Sequence, residues 1–122
     1  MTREECFAFC QSLPATTHVV QWGNSDVWKV GGKVFAVMGW GESDGLAVTF
    51  KVSAISFDIL KDQPGLRPAP YLASRGMSWI QHYCAPGLDD AALQDYIAAS
   101  HKLVASGLTK KKQRELGLST ES

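Results

Sequence analysis

"DVWKVGGKVFAV", residues 26–37, sets two runs rich in Val and aromatic residues on either side of Gly31-Gly32. A Gly-Gly pair supplies the positive φ values that a two-residue hairpin turn demands. The stretch therefore predicts a β-hairpin with strands over 27–30 and 33–38. In an unbroken register Val30 pairs with Lys33, Lys29 with Val34, and Trp28 with Phe35. Side chains alternate between the faces of a strand. Trp28, Val30, Lys33, Phe35 and Val37 then share one face, which holds the larger aromatics and is the expected core side. Lys29, Val34, Ala36 and Met38 share the other. The two lysines point to opposite faces, so only the hairpin tip, with Lys33 and the neighbouring Lys29, is placed to act as a wing on a polyanion.

Outward from the hairpin, "GWGESDG", 39–45, leads into a third strand over 46–52. Leu46, Val48, Phe50 and Val52 join the core face, and Ala47, Thr49 and Lys51 lie outside. A weaker extended piece, "THVVQW", precedes the hairpin. The outer face would expose Val27, Val34, Ala36, Met38 and Ala47, an apolar surface of the kind that marks a protein contact.

The flanks read as helices and one more strand. "MTREECFAFCQSLP" opens with a T-x-x-E capping box, Thr2 and Glu5, and Cys6, Phe9, Cys10 and Leu13 follow at helical spacing. Pro14 ends it. Residues 53–65 form a short helix, capped by Ser53, with Ile55, Ile59 and Leu60 as its apolar stripe. "LRPAPYLASRG" reads as a Pro-broken loop, and 77–84 as a strand. Asp89 caps a long helix over 89–107, with Leu88 and Leu93 as a hydrophobic staple and Gly107 at its C-terminal cap. Leu93, Ile97, Val104 and Leu108 line its buried side. A short basic helix starts at Thr109. The expected organisation is one domain over 1–116 and a polar tail over 117–122. Helix, antiparallel strands, then α, β and α make an α+β two-layer sandwich, with an antiparallel sheet covered on one face by helices.

Twelve basic and twelve acidic residues cancel, which removes a global field for nucleic acid or membrane. The charge is divided, however. Residues 1–60 carry four basic and six acidic side chains, and the remainder carries eight and six. The excess comes from "KKKQR", 110–114. Three cysteines at irregular spacing are no disulfide framework. No h-region follows the charged "MTREEC", and no apolar run reaches the ~20 residues that span a bilayer. A cytoplasmic protein without membrane contact is the expectation.

The residues "VWKVGGKVFAV", "LAVTFKV", "QPGLRPAPYLASRGMSWI" and "HKLVASGLTKK", in that order from about Cys6 to Lys112, resemble the MmcQ/YjbR family of small bacterial proteins. The resemblance implies a sandwich like the bacterial frataxin fold and a proposed double-wing mode of DNA binding. It brings no catalytic residue and no cofactor. By position it places a first wing at Gly31-Gly32 with Lys29 and Lys33. A second basic site falls at Arg67 and Arg75, near the strand of Trp79. The run at Lys110, Lys111 and Arg114 would add phosphate contacts, giving weak, sequence-independent and salt-dependent binding.

Other constellations carry less. Cys6, Cys10, His82 and Cys84 lack the C-x₂₋₄-C turn spacing of structural zinc sites; core packing is the expectation, and no metal. "GWGESDG" holds Glu42 and Asp44 and enters a strand, so it is no phosphate cradle. Trp40 at its tip either folds back onto its own domain, the commoner arrangement, or stacks on a base or anchors a partner. His18, His82 and His101 match no triad, and His101 on the long helix reads as a half-buried, hydrogen-bonded side chain. The expected protein is not an enzyme. Two alternatives to DNA binding stand: a protein-interaction module on the outer sheet face around Val34, Ala36 and Met38, and a small-molecule site near Tyr71, Trp79 and His82.

Overall fold

Caps written into the sequence start three of the helices. Ser53 Oγ accepts from the Ser56 amide at 3.2 Å, Asp89 Oδ1 from Ala92 at 2.8 Å, and Thr109 Oγ1 from Lys112 at 3.1 Å. Each satisfies a backbone donor that a helix N-terminus leaves open. The structure, a computed structural model, describes residues 3–21, 25–39, 47–69, 78–83 and 87–118. The chain runs α1 (Arg3–Ser12), β1 (Thr16–Gln21), β2 (Ser25–Val30), β3 (Lys33–Met38) and β4 (Val48–Lys51). It continues through α2 (Ala54–Leu60), β5 (Leu66–Pro68), β6 (Trp79–His82), α3 (Asp90–Ser106) and α4 (Lys110–Glu115).

The strands form one sheet in the order β1-β2-β3-β4-β6-β5, every neighbour antiparallel. The α+β sandwich expected from the element order is present. α3 lies across β2, β3 and β4, and α1 packs on β1 and α3. Leu93, Ile97, Val104 and Leu108 meet the sheet in one core with Cys6 and Cys10 of α1. His101 is buried on the same side of α3. Its Nε2 donates to the Pro14 carbonyl at 2.7 Å, and its ring meets Phe35 edge-on at 5.2 Å.

The hairpin departs from the unbroken register. Val30 pairs with Lys33 and Lys29 with Val34, but Trp28 pairs with Ala36, with a bulge between Trp28 and Lys29. Phe35 is the extra residue, so Phe35 and Ala36 both join the core, and beyond them the phase of β3 is reversed. Met38 points inward, fully buried, and Val37 outward. The physical reason is side-chain volume. The bulge sets the small Ala36 opposite the Trp28 indole, which Phe7 and His18 already flank at 4.8 Å. It also releases Phe35 to meet His101.

The outer face is likewise not an exposed apolar surface. Val27, Val37, Thr49 and Gln81 share it and are all buried, as is Ala47.

Three smaller readings change. The apolar stripe of α2 is not Ile55, Ile59 and Leu60. Leu60 and Phe57 turn inward, leaving Ile55 75% and Ile59 57% exposed. Residues 66–68, read as loop, form β5 on the sheet edge, where Pro68 needs no amide for pairing. Leu118, assigned to the tail, packs against the core, and its amide bonds to the Gln113 carbonyl at 2.8 Å.

Candidate nucleic-acid interface

The hairpin tip rests on the end of the long helix. Gly31 and Gly32 adopt φ of 60° and 83°. A Cβ built on Gly31 would lie 2.5 Å from Leu108 Cδ1, whereas one on Gly32 meets nothing within 4 Å. Leu108 immediately precedes the cap of α4. The turn and the basic helix, far apart in sequence, are thereby joined through one van der Waals contact. Lys33 and Lys110 each stand two residues from it.

α4 is too short to persist alone, and its attachments explain why it holds. Gln113 Nε2 donates to the carbonyls of Ala105 at 3.1 Å and Leu108 at 3.0 Å, tying α4 to the end of α3. Leu116 and Leu118 also pack on the core. Lys110, Lys111, Lys112 and Arg114 then stand exposed around the helix, with Glu115 as its one acidic residue. Lys112 was not among the sequence candidates. Its signal was present in the run itself, since successive residues of a helix fan out by about 100°.

Of the remaining candidates only Lys33, exposed at the turn, stands with this cluster. Lys29, partly buried, faces the outer side of the sheet beside the tip. Arg67 lies on β5, three strands beyond β3. At ~4.8 Å per strand that is roughly 14 Å away. Its Nε donates to Gln81 Oε1 at 2.8 Å, and its guanidinium lies 4.4 Å over the Tyr83 ring. Arg75, Trp40, Tyr71 and Cys84 lie outside the described residues.

Trp79 and His82 do not converge on one cavity, because three residues along a strand put them on opposite faces. Both His82 ring nitrogens and Trp79 Nε1 are buried without a hydrogen-bond partner among the described residues. A groove of about 140 Å³ opens elsewhere, lined by Lys51, Ser53, Ser56, Tyr96 and Leu103 among others.

Cys6 and Cys10 are buried free thiols in the core. A hydrogen bond from the Cys10 thiol holds Cys6 below the ordinary thiol value. Donating that bond, together with burial, pushes Cys10 up, so Cys10 stays protonated. Among the described residues no three His, Cys, Asp or Glu side chains gather as a metal site would require. His18 Nε2 and Asp26 Oδ1, 2.8 Å apart, tie the edge strand β1 to β2 beside Trp28. No described helix is long and apolar enough to cross a membrane.

A family model described as YjbR matches residues 11–103. No curated protein matches the chain. Among solved structures, a Deinococcus radiodurans protein with a DUF419 domain superposes with a TM-score of 0.84 at 22% identity, over 99% of this chain and 91% of that one. A Pseudomonas syringae protein superposes with a TM-score of 0.67 at 19% identity, over 84% of this chain and 98% of that one. At such identities the likeness is one of fold.

Proposed function

Since the chain belongs to the YjbR family, we propose that it binds the backbone of DNA weakly and without sequence preference. The contacts are made by the end of the domain where the hairpin tip meets α4. The protein acts as a non-enzymatic cytoplasmic binder in this reading. The observation that supports it is the seat of Gly31 on Leu108. Through that contact Lys33, Lys110, Lys111, Lys112 and Arg114 share one rigid end, with Lys29 close by. Five such cations satisfy the electrostatic requirement of backbone binding locally, although the whole chain is neutral. A six-residue α4 offers too little length to read bases in a groove.

Fluorescence anisotropy of a labelled 20-base-pair duplex across a salt series tests the proposal. Five phosphate contacts give a log–log slope of about −4.5, and non-specific dissociation constants fall at roughly 10⁻⁴ to 10⁻⁶ M near physiological salt. Changing Lys110, Lys111 and Arg114 together to Ala flattens the slope by about 3, whereas Arg67→Ala leaves it unchanged. Absence of binding at tens of micromolar protein in low salt overturns the proposal.

A second reading, a protein contact, is favoured by the exposed Ile55 and Ile59 of α2, with Leu103 37% exposed on α3 at the groove. Its surface is therefore the α2 side of the domain. Ala36 and Met38, expected on the outer sheet face, are in the core.

A further inference from the structure

The face of the sheet turned away from the helices is one-signed. Among the described strand residues its charged side chains are Lys29, Lys51 and Arg67, and no carboxylate shares it. Its centre is polar yet closed. Thr49 and Gln81 are fully buried there, and Gln81 Nε2 donates to Thr49 Oγ1 at 3.3 Å. That bond orients the Gln81 amide so that its oxygen faces β5, where Arg67 Nε donates to it at 2.8 Å.

Arg67 is thus held from two directions. Gln81 fixes the Nε edge of the guanidinium, and the Tyr83 ring lies against its plane. A guanidinium has five N–H donors, and this arrangement commits one. The terminal amines have no partner among the described residues, and Arg67 is partly exposed. A side chain whose rotamer is locked before binding loses little entropy when it takes a ligand.

A second observation points to the same place. Trp79 is 5% exposed, and its Nε1 donor is buried with no partner among the described residues. Buried donors are seldom left so, and an absent acceptor is one physical reason for it. Trp79 precedes Gln81 by two residues on the same face, which makes it the diagonal cross-strand neighbour of Arg67, a separation of about 7–8 Å between residues. Lys51, partly exposed, stands directly opposite Trp79 on β4.

We propose that this outer face binds a small oxyanion, the carboxylate or phosphate group of a small molecule. Arg67 grips two oxygens with its fork, Trp79 Nε1 donates to the anion, and Lys51 adds charge at the rim. Carboxylate and phosphate both suit a guanidinium fork. The site is separate from the DNA-binding end and stands or falls without it.

The test uses the ¹⁵N-labelled full chain. The Arg67 Nε–H and Trp79 Nε1–H cross-peaks are assigned by their loss in Arg67→Lys and Trp79→Phe. Sodium acetate and sodium phosphate are titrated separately, with chloride at matched ionic strength as the reference. The expected result is a saturable shift of both peaks together in the millimolar range. The anion that saturates first names the preferred class. In Arg67→Lys, which keeps the charge and the stem, the Trp79 peak no longer saturates. In Trp79→Phe, which keeps the ring, the dissociation constant read from Arg67 rises about tenfold, the cost of one charge-assisted hydrogen bond. The Lys110, Lys111 and Arg114 triple variant leaves both shifts unchanged. Peaks that move no more than in chloride overturn the proposal, as does a full Trp79 response in Arg67→Lys.

Discussion

Met38→Glu is expected to abolish the cooperative folding transition, while Ile55→Glu leaves it where it is. Met38 is fully buried at the end of β3, paired with Val48 on the side covered by helices. An ionised carboxylate there costs several kcal/mol after relaxation. Escape by protonation still removes the thioether packing and leaves a buried carboxyl to satisfy. A loss of about 4 kcal/mol or more consumes most of the 5–15 kcal/mol by which a domain is stable. Ile55, 75% exposed, belongs to the surface class, where substitutions stay within about 0.5 kcal/mol. Urea unfolding followed by tryptophan fluorescence reads both. A folded Met38→Glu protein with an unchanged midpoint would return β3 to the unbulged register and turn Met38 outward.

Gly31→Ala should destabilise the protein clearly more than Gly32→Ala. Both glycines hold positive φ, where an L side chain costs roughly 1–2 kcal/mol. That strain is common to the two variants. Only at position 31 does the new Cβ also enter the Leu108 side chain, at 2.5 Å from Cδ1. Overpacking of this kind adds typically 1–3 kcal/mol. Leu108→Ala opens the space, so the double variant Gly31→Ala, Leu108→Ala should lose less than the sum of the two single variants. If the tip and α4 form one binding end, Gly31→Ala also reduces the salt slope of duplex binding, because Lys33 and the α4 cations no longer share a rigid scaffold. Equal losses for the two alanine variants, with strictly additive behaviour, would mean that the tip does not rest on Leu108.

Several features were legible because they are local. Ser53, Asp89 and Thr109 cap the helices they precede, since a side-chain oxygen there meets an amide three residues on. The Gly31-Gly32 turn declares itself through the φ values it needs, and the Leu93, Ile97, Val104 side of α3 through its spacing. The face of β3 was not legible beyond Phe35. One inserted residue in a strand has no periodic signature, yet it reverses every side chain that follows. Ile55 and Ile59 misled for a related reason. In a seven-residue helix two possible stripes carry apolar residues, and docking against β5 and β6 selects the one with Phe57 and Leu60.

The candidate sites divide along the same line. Charge in "KKKQR" and a lysine at a glycine turn are properties of the sequence alone, and so is an α+β order of elements. The chain by itself therefore determined its class, its caps, its turn and which segments carry cations. Which cations stand together was decided only by tertiary structure. A single contact between residues distant in the chain joins the tip to α4, and the strand order sends Arg67 to the far edge of the sheet. The physical reason is that side-chain patterning records how each segment meets its own neighbours. The pairing of edges and the seating of one element on another arise from packing across the whole core.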